Sequence, residues 1–176
     1  RAPAAGKRQG DGDLAQRLAE ALEQEAATSR ILHAMARSPG DVQPVFNAIA
    51  DAALHLCRAS SAVVFKFDGE LLHIVALASV HRSGAEALRS VFPRPPSHDN
   101  ATARAILTAD VCLIPDLLDD TEYAVAPLSL KAGFRSNLSV PLLRNGNPVG
   151  AITVGRPLPG PFSPKQSALL QTFADQ

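Results

Sequence analysis

Asn137-Leu138-Ser139-Val140-Pro141-Leu142-Leu143-Arg144-Asn145-Gly146-Asn147-Pro148-Val149-Gly150-Ala151-Ile152-Thr153-Val154 decides how the rest of the chain is read. Leu138 to Leu143 and Pro148 to Val154 have strand character, and Asn145-Gly146 between them favours the positive φ angles of a tight hairpin. By the period of two, Asn137 and Ser139 share a face. Pro141 removes a ladder donor, which predicts an edge or an irregular pairing there.

Upstream, Ser61-Ala62-Val63-Val64-Phe65-Lys66-Phe67, Asp68-Gly69 and Leu71-Leu72-His73-Ile74-Val75-Ala76-Leu77 make a second strand–turn–strand unit. Both of its strands are apolar at nearly every position, so layers on both faces of the sheet are expected. Val111 to Ile114 adds a short strand ended by Pro115-Asp116. Hairpins dominate the connections, which predicts a largely antiparallel sheet in an α+β fold.

Helices fill the rest. Arg1 to Asp13 has no periodic apolar residues and reads as a disordered leader. From residue 14 to 37 the spacing of Leu14, Leu18, Ala21, Glu25, Thr28, Leu32 and Met35 is a heptad seam. It fits either a coiled coil with a partner or an amphipathic helix packed on its own domain. Ser38-Pro39-Gly40 breaks it. Asp41 is placed to cap a second helix, with Pro44 in its first turn and Val45, Phe46, Ile49, Ala53, Leu56 and Cys57 on its apolar face. A short helix is expected from Gly84 to Val91, stopped by Phe92-Pro93-Arg94-Pro95-Pro96. Others are expected from an Asp99 cap through Leu107, and from Thr121 to Ala132 with Gly133 as the stop. Ser163 and Pro164 open the last helix, lined by Leu169, Leu170 and Phe173.

Composition narrows the function. The chain has 176 residues, enough for one domain with accessory helices, and 46% hydrophobic residues, enough for a core. Lys+Arg and Asp+Glu are both 17, so no global field favours nucleic acid or an anionic membrane. No apolar run reaches the roughly 20 residues of a bilayer span, and no secretory signal is present. Two lone cysteines, Cys57 and Cys112, suit a reducing cytoplasm and read as core residues rather than zinc ligands. An Arg start, and a stop at Gln176 inside a helix, read as a fragment of a larger protein.

No phosphate loop, zinc-protease helix or nucleophile elbow occurs. The five histidines lie apart, at no metal-ligand spacing. His73, on the face of Leu71, Val75 and Leu77, reads as a hydrogen-bonded core residue. Asp119, Asp120 and Glu122 read as a solvated turn. Arg135 suits an anionic ligand or an ion pair with Asp116 or Glu122, and Arg104 is the second arginine of interest.

Several strings in this order resemble a bacterial GAF domain. They are Arg104-Ala105-Ile106-Leu107, Val111 to Asp116, Tyr123, Gly133-Phe134-Arg135-Ser136, Ser139 to Arg144, Gly150, and Pro161-Phe162-Ser163 before a Leu-rich helix. The likeness is to such domains in sensor histidine kinases and nucleotide cyclases. It runs from about Leu32 to Gln176, so the GAF domain would occupy 38–176 behind a signalling helix at 14–37. The resemblance implies a six-stranded antiparallel sheet with helices on both faces. The terminal helices on one face would make a parallel homodimer, and a roofed pocket on the other would hold an unidentified small molecule. The inward face of the strand after Gly133 gives Asn137 and Ser139 as pocket residues, with Thr153 on the partner strand. Phe65, His73, Arg104, Tyr123 and Arg135 complete the candidate ligand set.

Family ligands include cyclic nucleotides, linear tetrapyrroles, haem and small metabolites. The bilin attachment cysteine would fall near Ala124-Val125, where no cysteine stands, so covalent bilin is not expected. The cyclic-nucleotide signature and the cysteine set of methionine-sulfoxide-reducing members are also missing. The chain is thus expected to sense a small molecule without catalysis and to signal through its terminal helices to an output domain, a histidine kinase first. The alternatives are a ligand-free dimerisation and relay module, as in a nucleotide cyclase, and a redox enzyme using Cys112 or Cys57. No nucleic acid or membrane contact is expected of it.

Overall fold

The computed structural model describes residues 5–37, 40–79 and 82–175, with backbone alone for 5–11 and for Met35. Arg1 to Ala4, the Ser38-Pro39 break, the seam position of Met35, His81 and Gln176 lie outside that description. The elements are α1 (Ala5–Arg37), α2 (Gln43–Leu56), β1 (Ser61–Phe67), β2 (Leu72–Ser79), α3 (Arg82–Arg89), α4 (Ala101–Thr108), β3 (Cys112–Ile114), α5 (Ala126–Lys131), β4 (Ser136–Arg144), β5 (Asn147–Arg156) and α6 (Pro164–Ala174).

All strand pairs are antiparallel, and the sheet order is β2-β1-β5-β4-β3. Five strands form where six were expected. The segment beside β2 that would extend the sheet makes one bridge, between Leu72 and Arg94. Pro93, Pro95 and Pro96 flank that bridge and have no N–H to donate, so the ladder stops there.

The two hairpins build the sheet's centre. Asn145 and Gly146 have φ of 52° and 78°, the double positive that a two-residue turn requires. The turn pairs Arg144 with Asn147 and Leu143 with Pro148, and a bulge at Val149 then shifts the register by one residue, pairing Ser139 with Thr153 and Val140 with Ile152. Pro141 pairs with Ala151 of β5 and lies past the end of β3, which pairs only with Asn137, Leu138 and Ser139, so on that side there is no ladder to interrupt. That is the edge-like position expected of it.

Alternation then separates two cores. Ala62, Val64, Leu138, Val140, Ile152 and Val154 face Ile49 and Ala53 of α2, Leu170 and Phe173 of α6, and Ala27 and Ile31 of α1. Val63, Phe65, Leu72 and Ala151 face the other way, towards Leu88 of α3, Ala103 and Ile106 of α4, Tyr123 and Phe134. The expected burial on both faces is therefore present.

Several boundaries move. α1 begins at Ala5, so the part of the leader from Ala5 to Asp13 is helical rather than disordered; a helix already nucleated extends at one bond per residue. Its inner stripe carries Ala27 and Ile31 onto its own domain. The expected seam is a different stripe, and Leu14, Leu18 and Leu32 on it are 68%, 60% and 50% exposed. Asp41 does not cap α2 as N-cap; it accepts the Gln43 N–H one residue earlier than the helix requires. Asn100, not Asp99, caps α4 by accepting the Ala103 N–H at 2.8 Å, because Asp99 is held by Arg94. The stretch from Thr121 is helical only over α5, with Pro127 in its first turn. Ser163 caps α6 in a reciprocal capping box with Gln166.

Gly150 is where β5 presses closest on β1. A Cβ there would lie 2.2 Å from the Phe65 carbonyl oxygen and 3.0 Å from a Leu142 methyl. Gly150→Ala should therefore cost about 1–3 kcal/mol or more through forced backbone displacement. Urea unfolding measures it, and an unchanged midpoint would mean the two strands can separate freely at that point.

Candidate functional site

The pocket-side core encloses a hollow between sheet and roof. Its floor is Ser61, Val63 and Phe65 of β1, Asn137 of β4, Thr153 and Gly155 of β5, and Thr102 of α4. Its roof is Leu88 of α3, Val91 and Phe92 behind it, and Tyr123, Val125, Leu128 and Ser129 around α5, with Phe134 at one end. The cavity volume is about 40 Å³, a few waters' worth. The Phe65 and Phe92 rings meet at 4.8 Å and 55°, closing one side.

Polar groups line the floor in a chain. Thr153 Oγ1 lies 2.8 Å from Thr102 Oγ1 and 2.7 Å from Ser139 Oγ, so two hydrogen bonds link three buried hydroxyls and tie α4 to β5 and β4. Asn137 Nδ2 donates to the Tyr123 hydroxyl at 2.8 Å, and Ser129 Oγ donates to the same oxygen at 3.4 Å. The other end of the amide, Asn137 Oδ1, is buried with no hydrogen-bond partner. An orphaned acceptor of this kind carries a desolvation cost of about 1–3 kcal/mol that a donor would recover.

Of the candidate residues, the structure brings Phe65, Tyr123, Asn137 and Thr153 together in the lining. Ser139 is fully buried one layer below, reaching the hollow only through Thr153. Three others lie elsewhere. Arg104 donates to both carboxylate oxygens of Asp120 and, at 2.6 Å, to the His98 carbonyl. Arg135 donates to the two oxygens of Asp116 at 2.9 and 2.6 Å, so the ion-pair alternative describes it. Those pairs hold the Asp116 and Asp120 carboxyls below the usual carboxylate range. Asp120 of the expected solvated turn is thus engaged by an arginine.

His73 is not a core residue. The register of β1 with β2 shifts between Val64 and Phe65, leaving Val75 as an extra residue. The bulge puts His73 and Leu77 on opposite faces. His73 sits at the sheet's outer edge, 37% exposed, 2.7 Å from Asp68. The Asp68 carboxyl is held down by the Leu71 and Glu70 backbone N–H groups and then by His73.

Phe134, Phe92, Leu88, Val63, Thr102 and Gly155 line the hollow without having been expected there. One signal was available: Thr102 stands four residues before Ile106, which puts it on the buried side of α4. Gly155 leaves room for Phe134, whose Cβ would lie 2.8 Å from an added methyl.

Burial favours the protonated form of both thiols: it pushes Cys57 up to about 12 and also raises Cys112. Among the described residues no group of three or more His, Cys, Asp or Glu side chains is placed to hold a metal ion. No described helix is long and apolar enough to cross a membrane.

A two-sided antiparallel sheet with terminal helices on one face and a roofed hollow on the other defines a class of sensor-like α+β domain. The sequence model of the GAF domain matches residues 41–176, and the chain belongs to that family. The fold is similar to the GAF domain of a phosphoenolpyruvate-protein phosphotransferase from Coxiella burnetii, with a TM-score of 0.70 at 12% identity over 88% of this chain and 90% of that one. Free methionine-R-sulfoxide reductase from Neisseria meningitidis, solved with its substrate, gives 0.68 at 15% identity over 88% and 85%. The domain of a putative two-component sensor histidine kinase from Sinorhizobium meliloti 1021 gives 0.60 at 17% identity over 78% and 88%. Comparison with curated protein sequences gives no match.

Tyr123, the single tyrosine of the chain, reports on the hollow directly. Burial pushes its hydroxyl up to about 12 from an ordinary 10.0. The folded-state value is raised, so its stabilising contribution is complete below pH 10 and is lost as pH rises towards 12. Absorbance titration should show tyrosinate appearing near pH 12 in the folded protein and near 10 in urea. Coincident curves would mean that Tyr123 is solvated.

Proposed function

We propose that this domain is a regulatory module that senses a small molecule in the hollow over Asn137 and Thr153, performs no chemistry, and signals through its terminal helices. The reading rests on one observation. β4 presents Asn137 to the hollow and, on the next residues, Leu138 and Val140 to the layer of α1, α2 and α6. A ligand that displaces the floor or stabilises one placement of the roof therefore acts on the same strand that seats the terminal helices. The thiols held protonated by burial favour sensing over a redox enzyme. A histidine kinase is the output we favour, on the likeness to the Sinorhizobium domain; that likeness is one of fold.

Signalling in this scheme runs through a homodimer. Leu14, Leu18, Leu22 and Leu32 are exposed along α1. α6, by contrast, buries Leu169, Leu170 and Phe173 in its own domain. The symmetric contact is therefore assigned mainly to α1, with α6 beside it.

The cavity of about 40 Å³ favours a second reading, a ligand-free dimerisation and relay module such as a nucleotide cyclase would carry. Sites for drug-sized ligands usually enclose roughly 300 Å³ or more. Native mass spectrometry separates the two. Sensing predicts a bound mass on protein purified without denaturant, lost on unfolding and reduced in Asn137→Leu. Bare protein from its native host would favour the relay reading.

Sedimentation tests the helical contact. The full chain should be a dimer, and the chain lacking residues 1–36 a monomer. A monomer in both cases removes α1 as the route between copies.

A further inference from the structure

The walls of the hollow restrict what can enter it, and this step rests on the sensing reading above. Among the described residues, Arg94 is the one charged side chain in the lining. Its guanidinium donates to Asp99 at 2.5 Å and to Ser97 at 3.3 Å, so its charge is already matched. Arg104 and Arg135 are engaged by Asp120 and Asp116 and lie outside the lining. A buried anion would therefore meet no free cation here, and an unpaired buried charge is costly. A buried cation would meet no free carboxylate, since Asp99 is the partner of Arg94.

Besides the Ser61 hydroxyl, which can turn to donate or accept, what the hollow offers is one orphaned acceptor. Asn137 is 2% exposed and its Oδ1 has no partner. Every hydroxyl beside it, on Thr102, Thr153 and Tyr123, is within a hydrogen bond. The remaining lining is mostly aliphatic or aromatic, from Val63, Phe65, Leu88, Phe92, Val125 and Phe134.

We infer that the ligand is a small, uncharged molecule with an apolar body and one N–H or O–H donor, which it gives to Asn137 Oδ1. Carboxylates, phosphate esters and amino-acid zwitterions are excluded from this site. A body of a few carbon atoms enters the hollow as it stands, at about 40 Å³. A larger one must lift Phe92 and the α5 segment.

Three small probes that share the isopropyl–carbonyl body test charge and donor separately, on the full chain followed by amide and side-chain NMR shifts. Isobutyramide is neutral and has the donor, methyl isobutyrate is neutral without it, and isobutyrate is the anion. The expected result is that isobutyramide shifts the Asn137 side-chain and Thr153 signals. The ester should bind about tenfold more weakly, as one lost buried hydrogen bond requires, and the anion should cause no pocket shift. Asn137→Leu should abolish the preference for amide over ester; the wild-type preference carries the same information if that variant does not fold. Isobutyrate binding as well as the amide, or the ester binding equally, would overturn the inference while leaving a sensing site. No pocket shift with any probe would overturn the inference together with the sensing reading.

Discussion

Leu138, Val140, Ile152 and Val154 turn to one side of β4 and β5, and Asn137, Ser139, Thr153 and Gly155 turn to the other. Because the side-chain period in a strand is two, a slip of one residue would exchange the sets. On β4 it would push the Asn137 amide and the Ser139 hydroxyl into the layer of Leu170 and Phe173, and bare Leu138 and Val140 to the hollow side. The Asn145-Gly146 turn and a bulge at Val149 together set the observed register; the turn alone would pair Ser139 with Ile152. Everything else follows from the difference between the faces. Helices with long apolar stripes settle on the branched side, and short helices with small residues such as Ala101, Ala103 and Ala105 can approach the small polar side.

The two layers are held by different forces. On the terminal-helix side, side chains such as Phe173 and Leu170 are essentially fully buried, each worth about 1.5–3 kcal/mol by area. The roof adds three arginine–aspartate pairs, Arg94–Asp99, Arg104–Asp120 and Arg135–Asp116, all partly solvent-exposed. Solvent screens pairs that keep contact with water, so each contributes less than its charges alone suggest. The roof also buries Leu88, Leu117, Tyr123 and Phe134, so it is packed as well as paired, and it is the layer that covers the hollow. The hydroxyl chain from Thr102 through Thr153 to Ser139 keeps α4 fixed to the sheet, which leaves α5 and the Phe92 segment as the parts free to give.

Strands written with strong turn chemistry were legible to the residue or nearly so. β1 has the bounds its composition predicts, and both hairpins form at their Asp-Gly and Asn-Gly turns. The face shared by Asn137 and Ser139 followed from alternation alone. What failed has identifiable causes. A bulge at Val75 reversed the face assignment of β2, and bulges leave no mark in an all-apolar strand. Asp99 and Asn100 are both good caps, and the choice between them was made by Arg94, a tertiary partner. The sixth strand was lost to three prolines whose effect on the ladder depends on which side of the chain faces β2. Arg104 and Arg135 were recognisable as important, but whether a guanidinium meets a ligand or an aspartate is a matter of distances that spacing does not encode.

α1 carries two apolar stripes with different fates. Ala27 and Ile31 are fully buried against the domain, whereas Leu14, Leu18, Leu22 and Leu32 are at least half exposed. A helix of this kind joins whatever its inner stripe touches to whatever its outer stripe touches. Its inner contacts are in the same core as Val140 and Leu138, one residue along β4 from the groups that face the hollow. In the proposed scheme a partner copy covers the outer stripe, so a small turn of α1 about its axis changes both contacts together. Side chains three and four apart share a helical face, and a turn of about 100° moves the next residue into the seam. In the proposed scheme the polar Glu25 and Thr28 loosen a seam that would hold two copies more rigidly if it were fully apolar.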